Sequence, residues 1–380
     1  MIICIECTAN TKDELDDLLR VGGYRDYSEA MALAISNQLL LHRGAKSGRG
    51  SASITRVEKS ESSALRGAAP PPEQASPISA AEDRTQFEAV EVPSLFRIMR
   101  AEVRPGNVGA LPNDAFARGQ KITIDRWIFG QHNKLLPLKA SLRALANLSI
   151  DQSGGVPLTQ AAAETAPACE TLAAHLRQVD KDLALIREES LSTAFPSAAT
   201  DINKSRLRFS NQFIGALNKH GQLRGFPIDL KLVNYKNPKD PKLLLTEAGW
   251  KFASLTNPIL DHAEGMAITG EKLSEEERGF LIQHIRDNVP VEDFAIRAVL
   301  AALDAGACNP DDLDAALREY MPERIDEPFS PAFLSTQRAG AISRMGDLGL
   351  VERFRDGLRV TYQASVTAHQ YVEQVVLVTG

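Results

Sequence analysis

A long polar stretch near the amino terminus limits how this chain can fold. Residues 44–92 are rich in serine, alanine, glycine and proline, include three consecutive prolines at 70–72, and hold few aromatic side chains. Such a composition buries too little apolar surface to form a core and is typical of a flexible linker. The folded parts of the 380-residue chain are therefore expected on either side, over residues 1–43 and from residue 93 onward.

The overall composition suits a protein with more than one core. Hydrophobic residues make up 43% of the chain, enough for two or three domains, and no apolar run approaches the ~20 residues that cross a bilayer. The first residues, MIICIECTAN, lack the basic start of a signal peptide, so a cytoplasmic protein without a membrane contact is expected. The net charge of -6 argues against a chain coated for nucleic acid, yet it allows a local basic face.

Motifs for catalysis are absent from the sequence. Neither a Gly-rich phosphate loop nor an HExxH or GxSxG motif occurs, and the seven histidines are scattered. Cys4 and Cys7 form a CxxC, which is compatible with zinc or redox chemistry, but no second Cys or His pair lies nearby, so apolar strand residues are the favoured interpretation. We expect no enzyme activity, no cofactor and no metal.

Residues 1–43 combine a short strand with two helices. A strand over residues 2–8 precedes the capping boxes TKDE and DYSE, each of which starts a helix, and Gly22 and Gly23 separate the two. This order, with the motif GGYRDYSEAMALAISNQ, resembles the ribbon-helix-helix family. The resemblance implies a homodimer whose two strands pair antiparallel.

The outward face of that ribbon decides whether it reads DNA. In the family, alternate ribbon residues enter the major groove, and here they would be Ile2, Cys4, Glu6 and Thr8, with no basic residue among them. Two interpretations stay open, dimerisation alone and readout by the ribbon. The linker leaves a similar choice, because its basic residues over 43–66 suit either a solvated tether or nonspecific phosphate contacts.

The body is predicted to begin with helices. A helix over residues 134–149 is followed by two short helices, 158–165 and 169–179, separated by Pro167, and the set resembles a helix-turn-helix. The outward residues of the last helix would contact DNA, and they are Thr171, His175 and Gln178.

A basic hairpin is predicted next. The strand-like residues 221–235, the turn KNPKDPK and the string LLLTEAGWKFA resemble the wing and following helix of a winged-helix domain. Basic residues greatly outnumber acidic ones between residues 204 and 242, which is the densest positive run in the sequence. The predicted phosphate contacts on this wing are Arg224, Lys231, Lys236, Lys239 and Lys242.

The last third begins with an acidic helical block. Helices are predicted over 274–286, 291–305 and 311–320, and residues 273–324 as a whole suit a scaffold or a protein-contact surface. A helix over 336–345, capped by Ser335, and a hairpin turning at Asp356 and Gly357 then resemble a recognition helix and its wing. The predicted DNA contacts are Gln337, Arg338 and Arg344 on the helix, and Arg353, Arg355 and Arg359 on the hairpin.

These patterns predict a mainly α fold with small β-sheets. It comprises a ribbon-helix-helix over 1–43, a linker over 44–92, and a tandem winged-helix-like body divided into 93–265 and 266–380. The predicted function is a homodimeric protein that binds double-stranded DNA, as a transcriptional regulator or a DNA-associated factor. Two alternatives stay open: an adaptor subunit of a larger nucleic-acid or defence complex, and an antitoxin-like regulator that holds an effector with its body.

Overall fold

The computed structural model describes residues 4–5, 54–55, 92–97, 108–112, 121–150, 152, 154–197, 201–262, 268–323 and 329–373. The chain divides into two compact units, Met1–Phe87 and Glu88–Gly380. In the first unit, β1 (Cys4–Ile5) pairs antiparallel with β2 (Ile54–Thr55), which lies within the predicted linker. Apart from Val92, the rest of the predicted ribbon-helix-helix and of the linker lies outside the described residues, as does Cys7.

The first half of the second unit surrounds a small sheet. Its elements follow in the order α1 (Leu135–Ser149), β3 (Val156–Pro157), α2 (Leu158–Asp182), α3 (Ile202–Phe213), β4 (Ala216–Leu217), β5 (Leu223–Arg224), α4 (Phe226–Asp229), β6 (Val233–Lys236), β7 (Lys242–Leu245) and α5 (Glu247–Ser254). The sheet order is β3-β7-β6, with all pairs antiparallel. β7 lies at its centre, and its three leucines are buried. The predicted closing strand and following helix of LLLTEAGWKFA are confirmed.

The second half of this unit is more helical. It contains α6 (Glu275–Asn288), α7 (Pro290–Asp304), α8 (Pro310–Leu317), α9 (Pro331–Asp347), the hairpin of β8 (Val351–Asp356) and β9 (Arg359–Ala364), and α10 (Val366–Glu373). Three 3-10 turns lie among the described residues, at Ser94–Phe96, Ile124–Arg126 and Arg318–Tyr320. The helices of the acidic block begin within a residue of their predicted starts, because Ser274 and Asn309 cap α6 and α8 as the sequence indicates.

The helix-turn-helix predicted at Pro167 is wrong. Residues 158–182 form one continuous helix of 25 residues, and Pro167 lies inside it. The same buried stripe, with Ala161, Cys169 and Leu176, runs along the whole helix and packs on both sides of the proline. This burial outweighs the one backbone hydrogen bond that proline removes.

The hairpin of β8 and β9 is confirmed, with a turn shifted by one residue. Asp356 pairs with Arg359, so the loop residues are Gly357 and Leu358. Of these two loop residues only Gly357 has a positive φ, of 58°, whereas a type I′ turn, which an Asp-Gly pair favours, needs positive φ at both loop positions. Glycine at the first position is the type II′ pattern.

The stretches predicted as two domains belong to one compact unit. Lys139 on α1 and Glu277 on α6 form an ion pair of 2.8 Å whose side chains are fully buried. Burial lowers the pKa of Lys139 to about 8, and the Glu277 carboxylate opposes that shift. The expectation of a mainly α fold with small antiparallel sheets is confirmed. None of the helices in the described part of the chain is long and apolar enough to cross a membrane.

Candidate nucleic-acid interface

The predicted recognition helix near the carboxyl end does not face solvent. In α9, Gln337, Arg338 and Arg344 are 1%, 6% and 1% exposed, so the prediction that they contact DNA is wrong. Arg344 forms a two-pronged ion pair with Glu292 on α7, at 2.6 and 2.9 Å, and Arg338 pairs with Asp314 on α8 at 2.7 Å. The sequence around each arginine predicts an outward side chain. The acidic partners that bury both arginines lie 24 and 52 residues away, so the local sequence does not reveal them.

The helix α9 instead supports the segment 129–133 from the first half of the unit. Gln337 accepts a hydrogen bond from the backbone N–H of Gly130 and donates one to the carbonyl of Ile124. Arg344 donates to the carbonyl of His132 at 2.9 Å. These side chains of α9 are buried, and their hydrogen bonds are made with backbone groups of residues 124–132. Such buried hydrogen bonds fix the position of the backbone that they contact.

The backbone of α9 and that of the segment 129–133 come into direct contact at two glycines, Gly340 and Gly130. A Cβ atom on Gly340 would lie 2.4 Å from the backbone of Gly130, and one on Gly130 would lie 2.1 Å from the carbonyl oxygen of Thr336. Neither position leaves room for a side chain. The residue before Gly130 is Phe129, which is 43% exposed.

The outward residues of α2 have access to solvent, but they lie on one long helix and not on the second helix of a helix-turn-helix. Thr171 and Gln178 are exposed, and His175 is half-buried. Burial and the nearby His262 lower the pKa of His175, which favours its neutral form. Gln178 bonds to Asp182 on its own helix. These residues keep their solvent access without belonging to a helix-turn-helix.

The hairpin of β6 and β7 retains most of its predicted basic character. Lys236 and Lys239 are exposed, Lys242 is half-buried, and none of the three makes an ion pair within the described residues. Arg224 on β5 is also exposed. Lys231 is only 7% exposed, so its predicted phosphate contact is wrong. It occupies a tight corner before β6 with a φ of 56°, where its carbonyl accepts a hydrogen bond from Thr246.

The second hairpin is a two-stranded ribbon that stands largely in solvent. Arg355 and Arg359 are exposed, whereas Arg353 pairs with Glu188 at 3.1 Å. Burial alone would raise the pKa of Glu188, but a backbone N–H and Arg353 lower it below its ordinary value. The predicted phosphate contacts at Arg355 and Arg359 therefore remain accessible, and Arg353 is partly engaged.

The helix α3 is the exposed basic helix that the sequence reasoning missed. Asp201 caps it by accepting from the backbone N–H groups of Asn203 and Lys204. Its buried side holds Phe209, Ser210 and Phe213, while its outward side is exposed and consists of Asn203, Lys204, Leu207, Arg208 and Asn211. The signal was present as an Asp cap before a basic stretch, but the apolar periodicity is confined to its last turn.

Charge on the outward side of α3 is only partly neutralised. Lys204 lies 3.5 Å from Asp201, with both side chains well exposed, so that pair is weak. Arg206 pairs with Glu170 on α2 at 2.6 Å. Arg208 makes no ion pair in the part of the chain that the structure describes. α3 contacts β4 and α4, which precede the hairpin of β6 and β7 along the chain.

A shallow cavity of about 370 Å³ lies between α3 and Phe129. Gln212 on α3 donates to Gln131 across it at 3.2 Å. The His132 ring lies edge-on to Phe129, with ring centroids 5.8 Å apart, and its Nδ1 lies 2.9 Å from Asp229. The cavity thus combines one apolar wall with polar and basic side chains.

Comparison with known proteins yields no relative. No protein-family model, curated protein or solved structure matches the chain. Within the described residues, no group of three or more His, Cys, Asp and Glu side chains is arranged to hold a metal ion. The geometry and charge of the side chains are thus the basis for assigning a function.

Proposed function

We propose that this protein is a homodimeric double-stranded-DNA-binding protein that contacts the duplex through α3 and the hairpin of β6 and β7. The observation that carries the proposal is the exposed face of α3, where Lys204 and Arg208 stand beside Asn203 and Asn211. Such a face offers both phosphate contacts and amides that can read base edges. Residues 1–43 would supply the dimer, as the ribbon-helix-helix resemblance implies.

The order of elements supports a tandem winged-helix-like body. In the first half, α1, β3, α2, α3 and the hairpin of β6 and β7 follow the helix, strand, helix, helix, hairpin order of that fold, with β4, β5 and α4 inserted between α3 and β6. In the second half, α7, α8, α9 and the hairpin of β8 and β9 repeat it, and one hydrogen bond from Tyr362 to the carbonyl of Cys308 stands where the first strand would be. The two helices that precede the hairpins differ in exposure. The outward side of α3 is exposed to solvent, whereas Gln337, Arg338 and Arg344 of α9 are buried.

A salt titration tests this proposal. The full-length protein is titrated with a random duplex at several salt concentrations, and Lys204→Ala/Arg208→Ala is compared with the wild type. Each lost phosphate contact reduces the slope of log K against log salt by about 0.9, so the double variant should reduce it by about 2. Affinity should fall for all sequences.

A charge-matched control is Lys181→Ala/Arg318→Ala, which removes two exposed basic side chains from other elements. It should leave the slope nearly unchanged. Absence of duplex binding by the wild type at low salt would reject the proposal, and equal loss in both double variants would reject the assignment to α3.

The second candidate is an adaptor subunit within a larger nucleic-acid or defence complex. Two observations favour it: Gln337, Arg338 and Arg344 of α9 are buried in contacts within the chain, and the acidic block exposes Glu275, Glu276, Asp311 and Asp312. Winged-helix folds serve in both roles, so fold alone does not choose between them. A protein that failed to bind duplex, yet lost a partner on charge reversal of these four carboxylates, would be the adaptor.

A further inference from the structure

The cavity beside α3 has an apolar wall whose side chains are exposed to solvent and are not part of the hydrophobic core. Phe129 is 43% exposed and Leu207 is 61% exposed, and both line the same cavity of about 370 Å³. Lys204 and Arg208 lie one turn apart on the same side of α3, and both line this cavity. An aromatic ring beside two cations is the arrangement by which proteins hold unstacked bases, since the ring contacts the base and the cations contact its phosphates.

Phe129 is held in place before any ligand arrives. Gly130 follows it directly and lies against the backbone of Gly340, while Gln337 accepts the N–H of Gly130. His132 contacts the Phe129 ring edge-on and also stacks on Phe226, with ring centroids 5.7 Å apart. A ring fixed by its neighbours loses little conformational entropy on binding, which increases its contribution to affinity.

The other side chains of the cavity match the edges of a base. Gln212 donates to Gln131, and the remaining donor and acceptor atoms of these two amides, together with the amide of Asn211, can pair with the Watson–Crick edge of an unpaired base. No acidic side chain is among the described residues that line it. Two carboxylates lie behind the lining, Asp229 on His132 and the partly exposed Asp201 beside Lys204, and Arg208 has no acidic partner within the described residues.

We propose that this cavity takes an unpaired nucleobase, so that the protein favours DNA with a bulged, mismatched or otherwise unstacked nucleotide. This inference rests on the proposed function and specifies its substrate class. The duplex lies against the basic hairpin, and a base displaced from the stack enters between Phe129 and Leu207. A damaged or unpaired base is cheaper to extrude than a paired one, which generates the selectivity.

The test uses full-length protein and two duplexes that differ by one extra unpaired 2-aminopurine. The bulged duplex should bind about tenfold more tightly than the fully paired one, since base–aromatic stacking typically changes affinity by that order. 2-Aminopurine fluorescence should fall on binding as the base stacks on Phe129. Phe129→Ala should abolish the preference and the quenching, whereas Phe129→Trp should keep both.

The matched control is Phe354→Ala, which removes an exposed ring from the hairpin of β8 and β9. It should leave the preference unchanged, and circular dichroism should confirm that each variant is folded. Equal affinity for the two duplexes, with no effect of Phe129→Ala, would overturn the inference and leave duplex binding intact. Failure to bind either DNA would instead remove the proposed function, and capture of an acidic peptide dependent on Phe129 would redefine the cavity as a protein site.

Discussion

Replacing Glu292 with glutamine is expected to lower the free energy of unfolding of the large unit by about 3–5 kcal/mol. The side chains of Arg344 and Glu292 are 2% and 1% exposed, so the guanidinium would be left in the interior without its counter-charge. Its remaining bond to the carbonyl of His132 does not neutralise it. Unfolding with guanidinium chloride, followed by far-ultraviolet circular dichroism, measures this loss in the free energy of unfolding.

Two further variants isolate the buried charge as the cause. Arg206→Met breaks the half-exposed pair with Glu170 and should change the free energy of unfolding by about 1 kcal/mol or less. Glu292→Leu/Arg344→Met removes both charges and should recover most of the stability lost in Glu292→Gln. Equal losses in Glu292→Gln and Arg206→Met would contradict the assignment of this pair to the interior.

Replacing Gly340 with alanine should separate α9 from the segment 129–133. The new Cβ would lie 2.4 Å from backbone atoms of Gly130, which cannot rotate away as a flexible side chain would. Overpacking of this kind typically costs about 1–3 kcal/mol, and the upper end is expected because both partners are backbone. Thermal unfolding of the full-length protein measures the effect as a reduced Tm.

The control for this variant lies on another helix of the same unit. Gly279 on α6 is exposed, and a Cβ placed on it would meet nothing within 4 Å. Gly279→Ala should therefore raise stability by about 0.5–1 kcal/mol, through helix propensity alone. If both alanine variants raised the Tm, the close approach of Gly130 and Gly340 would be refuted.

Local signals were enough to predict most helices, the hairpin of β8 and β9, and part of the hairpin of β6 and β7. Of the strand predicted over 221–235, only the end belongs to β6, because residues 226–229 form the helix α4. Ser274 and Asn309 mark helix starts through their side chains, and the Asp356 and Gly357 pair marks a turn, because each of these effects acts over a few residues. The string LLLTEAGWKFA likewise predicts a strand and a helix from its own pattern. Elements of this kind depend little on the rest of the chain.

The site was harder to predict because its determinants are distant in sequence. Arg344 follows a pattern that favours solvent, yet its partner Glu292 lies 52 residues away, and Gln337 bonds to a backbone group 213 residues away. Pro167 is an ordinary break signal that tertiary burial overrides. α3 escaped prediction because its buried aromatic residues are confined to its last turn, while most of its earlier residues contact solvent.

The contact between α1 and α9 joins residues that are synthesised far apart in time. Asp347, the last residue of α9, accepts the N–H of Leu135 at 3.0 Å, so the first turn of α1 is satisfied by a residue 212 positions later. During synthesis from the amino terminus, α1 emerges long before that carboxylate exists. Contacts of such sequence separation slow folding, and this one forms only after residue 347 has been synthesised.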